Sequence, residues 1–199
     1  MPKSRLRVQH LMLAALAALQ PVAVIACEVP AGVTVGAADA DRMTHFLQSR
    51  AQGLAEALVA DSASDRALVS GLFSRADGDL DAMPDGDYRC RTIKLGGLLP
   101  LTAYGFFSCR VTEGGTRIEK LSGSQRLSGT LHAAGGAVFY RGALHYGDEN
   151  SIAYGMNEER DQVGCLYPVP EGETPRYRLE LPSPLFESTH DVIELVPVN

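Results

Sequence analysis

From Tyr88 onward the chain is written in short apolar–polar alternations punctuated by glycine, a grammar that suits antiparallel strands and little else. Two hairpins, 111–118 and 131–140, are the clearest. Gly114-Gly115 fits a two-residue turn of the kind that needs positive φ, and that register sets Val111 opposite Ile118 and Arg110 opposite Glu119. Gly135-Gly136 does the same for the second hairpin. There Leu127, Gly129, Leu131, Tyr140, Gly142 and Leu144 share one face, while Ser128, Thr130, His132, Arg141 and His145 share the other. Such alternation predicts one buried face and one wet face. Gly129 falls directly across from Gly142, which predicts a bend in the sheet or a close backbone approach. Further strands are expected near 152–156, 163–168, 176–181 and 190–196. Seven or eight antiparallel strands at this spacing predict a small barrel or sandwich.

The first part of the chain reads differently. Lys3, Arg5 and Arg7 lead into the apolar run Leu11–Leu19, followed by Gln20-Pro21, Val22–Ala26 and Cys27. That order is the pattern of a bacterial export signal, so residues 1–26 are expected to be removed and the remainder to work in the periplasm. Residues 27–38 are small and turn-rich and read as a linker. Asp39 or Asp41 is placed to cap a helix starting near Arg42, whose Met43, Phe46, Leu47, Leu54 and Leu58 predict an apolar face, with His45 on its polar side. Ser62 or Ser64 is placed to cap a second, shorter helix. The fold class is therefore α+β: one domain over 39–199, with two helices in 39–76 and the β part in 87–198.

Four cysteines raise two questions. If Cys90 and Cys109 oppose each other across adjacent strands, Tyr88 pairs with Val111, Thr92 with Phe107 and Leu95 with Tyr104, leaving Gly96–Ala103 as the connection. Directly opposed residues in a non-hydrogen-bonded pair have Cα atoms about 4.5 Å apart, near the lower limit for a disulfide. Closing a loop of about 20 residues adds roughly 3 kcal/mol. With no CxxC present, the pair reads as structural rather than redox-active. Cys27 has two readings. Val24-Ile25-Ala26-Cys27 resembles a lipobox, which would make Cys27 a lipid-bearing N-terminus in the outer membrane. Cleavage after Ala26 by the soluble-pathway peptidase would instead free Cys27 for a bridge, and Cys165 reads either as its partner or as a buried apolar filler. Even cysteine parity favours the bridge.

Removing residues 1–26, which hold three basic residues and no acids, takes the formal charge from −6 to −9. An acidic chain without basic runs repels phosphate backbones, so nucleic acid is excluded as a partner, and the membrane is reached only through a lipid on Cys27. Motifs for nucleotide, flavin or zinc chemistry and the GxSxG elbow are absent, and no cofactor or metal site is assigned. His132 and His145 lie at opposite ends of their hairpin. His190 and Asp191 are neighbours on a strand and point to opposite faces. Asp77, Asp79 and Asp81 resemble the start of a calcium loop, but Ala82 and Tyr88 stand where glycine and glutamate are needed, so the stretch reads as an acidic linker. Glu158–Asp161 reads as a charged turn. Arg89, Arg91 and Arg110 form a small basic ridge that Glu119 partly neutralises. No residue is assigned as catalytic.

Several segments together resemble one family. They are Gly86–Leu95 (GDYRCRTIKL), Phe106–Arg110 (FFSCR), Ser122–Arg126 (SGSQR), Glu159–Gln162 (ERDQ), and Phe186–Ser188 running on to Asp191–Pro197. In order and spacing they resemble the exported proteobacterial proteins of domain-of-unknown-function family 4893, over nearly all of the mature chain. The resemblance implies that Cys90 and Cys109 are its two recurring cysteines. Cys165 stands where an apolar residue is usual, which supports a Cys27–Cys165 bridge over lipidation. The expected function is a non-catalytic, disulfide-stabilised binding or structural domain of the cell envelope, whose partner is a small ligand or an envelope protein. Two other classes are kept. Ser122–Gly129 faintly resembles a strand of small barrel inhibitors of lysozyme. A hydrolase of envelope polymers would need converging carboxylates, Glu187 or Asp191 with Asp161.

Overall fold

The computed structural model describes residues 27–74, 78–147, 149–170 and 174–198. The export pattern in 1–26 and Asp77 lie outside the described residues. Three helices, α1 (Ala37–Thr44), α2 (Phe46–Ala57) and α3 (Ala63–Leu72), precede nine strands. These are β1 (Gly86–Leu95), β2 (Leu101–Ala103), β3 (Phe107–Thr112), β4 (Arg117–Lys120), β5 (Gln125–Ala133), β6 (Val138–Tyr146), β7 (Asp161–Val169), β8 (Arg176–Pro182) and β9 (His190–Pro197). All pairings are antiparallel, and β9 returns to pair with β1, so eight strands close into a barrel with β2 as an extra strand on β1.

Closure follows from alternation. Tyr88, Cys90, Val111, Ile118, Leu127, Leu131, Tyr140, Leu166, Leu179, Ile193 and Leu195 point inward and form the main core. The two predicted hairpin registers hold: Val111 faces Ile118, Arg110 faces Glu119, and Gly129 faces Gly142. The second turn has two residues, Gly135 and Gly136, with φ of 60° and 96°. The first is longer, running 113–116 between the paired Thr112 and Arg117. Gly129 and Gly142 meet both the expected close backbone approach, since a Cβ on Gly142 would lie 2.2 Å from the Ser128 carbonyl oxygen, and the Tyr140 ring. A Cβ on Gly142 would sit 2.3 Å from the Tyr140 hydroxyl, and one on Gly129 2.5 Å from its ring.

Three details differ from the sequence reading. The Cys90–Cys109 bridge is diagonal: Tyr88 faces Cys109 and Cys90 faces Phe107, a register two residues from the expected one. The diagonal gives a Cα separation of 5.8 Å, well inside disulfide range, where direct opposition would crowd it. Residues 101–103 are a strand rather than loop, and 152–156 are not a strand. The helical part has three helices, because the chain turns at His45 between α1 and α2; α1 starts at Ala37 with Gly36 as its cap, which puts Asp39 inside the first turn. Ser62 caps α3 as expected, accepting from the Asp65 amide.

The two ends of the barrel differ. The end holding the 113–116 and 134–137 turns is corked by residues 78–85: Met83 is buried in the barrel core, and the Asp85 carboxylate accepts the Gly114 and Gly115 amides at 3.0 and 2.6 Å. The acidic stretch is thus a clamp on the fold. The opposite end gathers the last residues of β1, β4, β6 and β8 and the first of β3, β5, β7 and β9. Outside the wall, α2 and α3 pack against Ile93, Leu95, Val169 and Val192, and a second outer cluster surrounds Phe46, Phe139, Tyr167 and the Cys27–Cys165 bridge.

Candidate functional site at the barrel mouth

Where a strand reaches the open end, the inward parity that carries Leu and Ile through the core delivers charged residues. Lys94 follows Cys90 and Thr92, Lys120 follows Ile118, and Asp191 precedes Ile193 and Leu195. All three are buried, with 7%, 5% and 7% of their surface exposed. The β8–β9 loop, 183–189, crosses this mouth. Its Glu187 accepts from the Lys94 ammonium, and Ser188 Oγ donates to Asp191 at 2.6 Å. Two residues of the loop, Ser183 (φ 44°) and Glu187 (φ 73°), hold left-handed backbone without being glycine, which costs about 1–3 kcal/mol each.

The charges divide unequally. Burial pulls the Lys94 ammonium toward neutrality, but the Glu187 hydrogen bond and the charges of Asp191 and Glu187 outweigh it and leave its pKa above the ordinary value. Glu187 is lowered in return, chiefly by its hydrogen bond to Lys94 and then by the lysine's charge. Asp191 is raised, because burial outweighs Ser188 and Lys94. Lys120 has no such balance. Its Nζ donates to the Gln125 carbonyl at 2.6 Å and lies 4.5 Å from the centre of the Phe107 ring. Among the described residues no carboxylate pairs with it, and burial, Arg126 and Lys94 together push it down to about 8. Beside it is a cavity of about 110 Å³ lined by Thr92, Tyr104, Phe107, Ser124, Gln125 and Glu187. Its contacts are a carbonyl oxygen and an aromatic face, with no countercharge among the described residues.

A second polar cluster lies outside the barrel, under α2. His190 is fully buried, with Nδ1 3.0 Å from Ser49 Oγ and Nε2 3.0 Å from Glu180 Oε2. This has the order of a catalytic relay, but it is closed. Ser49 Oγ gives its one proton to the Thr189 carbonyl at 2.8 Å, so it has none to give His190, and it accepts from the Ser183 amide at 3.0 Å. Glu180, fully buried, takes Arg50 through two bonds of 2.6 and 2.9 Å and Arg178 through one of 2.7 Å. Burial alone would raise its pKa, but His190, Arg50 and Arg178 hold it well below the carboxylate range. The cluster fastens α2 to the wall.

The other sequence candidates are dispersed. His132 faces Phe139 and His145 faces Arg126, at the two ends of their strands; His45 is exposed at the α1–α2 turn. His190 and Asp191 point to opposite faces of the wall, toward α2 and into the mouth. The arginine ridge is neutralised: Arg91 pairs with Glu194, and Arg110 with Asp87 at 2.6 Å. Arg89 and Arg91 stack on Phe106. Ser122 accepts from the Ser108 amide at 2.9 Å, so the SGSQR segment ties β3 to the start of β5 next to the mouth. Asp161 and Asp191 border one small mouth cavity of about 50 Å³, and burial raises both. Asp161 Oδ1 and Oδ2 accept the Gly155 amide at 2.9 and 3.1 Å. Among the described residues no group of three or more His, Cys, Asp or Glu is placed to hold a metal, and no helix is long and apolar enough to cross a membrane.

The fold is a closed eight-stranded antiparallel barrel with one extra strand, three preceding helices and two disulfides. The chain belongs to the DUF4893 family, a domain of unknown function, whose model matches residues 32–195. No curated protein and no solved structure matches it.

Proposed function

We propose that the protein is a non-catalytic binding domain of the cell envelope that takes a small anion at the mouth of its barrel. The observation that carries this reading is Lys120, a buried ammonium with no carboxylate partner among the described residues, beside a cavity of about 110 Å³. Leaving a buried charge unpaired costs several kcal/mol at first approximation, and an arriving anion recovers it. Two disulfides fit work outside the reducing cytoplasm. The Cys27–Cys165 bridge supports a domain released into the periplasm over one anchored by a lipid on Cys27.

The hydrolase alternative has one observation in its favour, the raised Asp161 and Asp191 around a common cavity. That cavity, about 50 Å³, is less than half the one beside Lys120, and both acids already hold partners within the fold, Asp161 the Gly155 amide and Asp191 the Ser188 hydroxyl. The binding reading is tested by the native mass of the mature protein taken from its own cell envelope, before and after denaturation, alongside Lys120→Met. A small anionic mass present on the native protein and absent from the variant is the expected result. Bare protein in both, with no anion retained by the native protein, would overturn the reading.

A further inference from the structure

The surroundings of the mouth say what kind of anion it suits. Two loops meet there, where the Leu98 amide donates to the Glu187 carbonyl at 3.0 Å. Between them they expose four apolar side chains: Leu98 (80%), Leu99 (60%), Leu185 (52%) and Phe186 (50%). Leu185 and Phe186 border the small cavity on the Lys94 side of the mouth, and exposed apolar side chains beside a concavity mark a contact surface. Inside that rim the mouth already holds a carboxylate of its own. Glu187 pairs with Lys94, yet its side chain is 44% exposed while that of Lys94 is 9% exposed. The acid can leave for water; the lysine cannot. The main chain at 187–188 is held, because Gly97 packs so closely that a Cβ there would lie 2.3 Å from the Glu187 carbonyl oxygen. What is free to move is the Glu187 side chain.

Building on the anion-site reading, we propose that the ligand is an amphiphilic carboxylate. Its head group sits between Lys120 and Lys94 and its apolar tail lies on the rim of Leu98, Leu99, Leu185 and Phe186. Glu187 is the built-in occupant of the Lys94 half of the site, and the ligand enters by displacing it. Charge and apolarity are then both required. A carboxylate without a tail lacks the rim, and a tail without a carboxylate leaves Lys120 unpaired and Glu187 in place.

The chain contains no tryptophan, so Phe186→Trp provides a single fluorescent reporter on the rim. This variant of the mature protein is titrated with decanoate, decanol and acetate below micelle-forming concentrations, and the unsubstituted protein is titrated in parallel by calorimetry. Decanoate is expected to bind at least tenfold more tightly than either decanol or acetate. Glu187→Gln is expected to tighten decanoate binding three- to tenfold, and Lys120→Met to abolish it. Decanol binding as well as decanoate would reduce the rim to an apolar patch and overturn the proposal. An unchanged or weakened affinity in Glu187→Gln would overturn the displacement. If the native protein retains some other anion through Lys120 while decanoate fails, the amphiphile assignment falls and the anion site stands; if no anion depends on Lys120, both fall.

Discussion

Lys120 is where stability and function pull apart. Its ammonium is buried and its pKa is pushed from an ordinary 10.5 to about 8, first by burial and then by Arg126 and Lys94. The other charged groups around it, Glu187 and Asp191, belong to Lys94. A lowered lysine pKa means that the unfolded chain holds the proton more tightly than the folded one between about 8 and 10.5, so stability rises with pH across that window. Lys120→Met removes this penalty. It is expected to stabilise the protein at pH 7 by about 1–2 kcal/mol, read from urea midpoints, and to flatten the rise between pH 8 and 10. A variant less stable at pH 7 would mean that the Gln125 bond matters more than the burial. Anion binding runs the other way, present at neutral pH and lost as pH climbs through about 8. Part of this was legible in the sequence. The register that pairs Val111 with Ile118 already puts Lys120 on the inward parity, and Lys94 shares the inward parity of Cys90. What the sequence could not show was the 183–189 loop closing over them, since nothing local to either lysine records a loop sixty or more residues away.

At the scale of elements, α2 is the least legible part. Its leucines suggest a face of Met43, Phe46, Leu47, Leu54 and Leu58, yet Leu47 and Leu58 are exposed. The buried stripe is Phe46, Ser49, Gly53 and Ala57. Small residues are needed because the helix lies almost on the strands: a Cβ on Gly53 would sit 2.8 Å from His190 Cβ. Likewise Arg178 and Glu180 alternate with Tyr177, Leu179 and Leu181 as a wet face should, but α2 and α3 cover them and turn that face into an ion cluster. The hairpins were readable because their partners are adjacent in sequence; the seal was not, because Arg50 and Glu180 are 130 residues apart. Removing the acid should expose the difference. Glu180→Gln leaves Arg50 and Arg178 short of a buried countercharge and is expected to cost about 3–5 kcal/mol, measured by urea denaturation. A loss below about 1 kcal/mol would show that the helix is held by packing alone. α2 also reaches the mouth directly, since Glu56 accepts the Gly97 amide at 2.8 Å and the Thr189 hydroxyl at 2.9 Å. A loosened α2 should therefore weaken ligand binding as well.

For the whole molecule, two bridges act at different ranges. Cys90–Cys109 closes 19 residues inside the barrel, whereas Cys27–Cys165 ties the segment before α1 to β7 across 138. The longer closure restricts the unfolded chain more, and Cys165→Ala with Cys27→Ala is expected to cost about 2–4 kcal/mol while leaving the barrel closed, seen as a lower urea midpoint with an unchanged far-ultraviolet circular dichroism spectrum. Barrel, cork and helices then form a rigid frame around one polar opening, and the central claim is that the opening holds an unsatisfied cation. Nuclear magnetic resonance of the Lys120 ε-carbon, titrated with and without decanoate, tests that claim most directly. The expected midpoint is near 8 in the free protein, moving upward when the anion binds. A midpoint near the ordinary 10.4 that the anion leaves unmoved would contradict it.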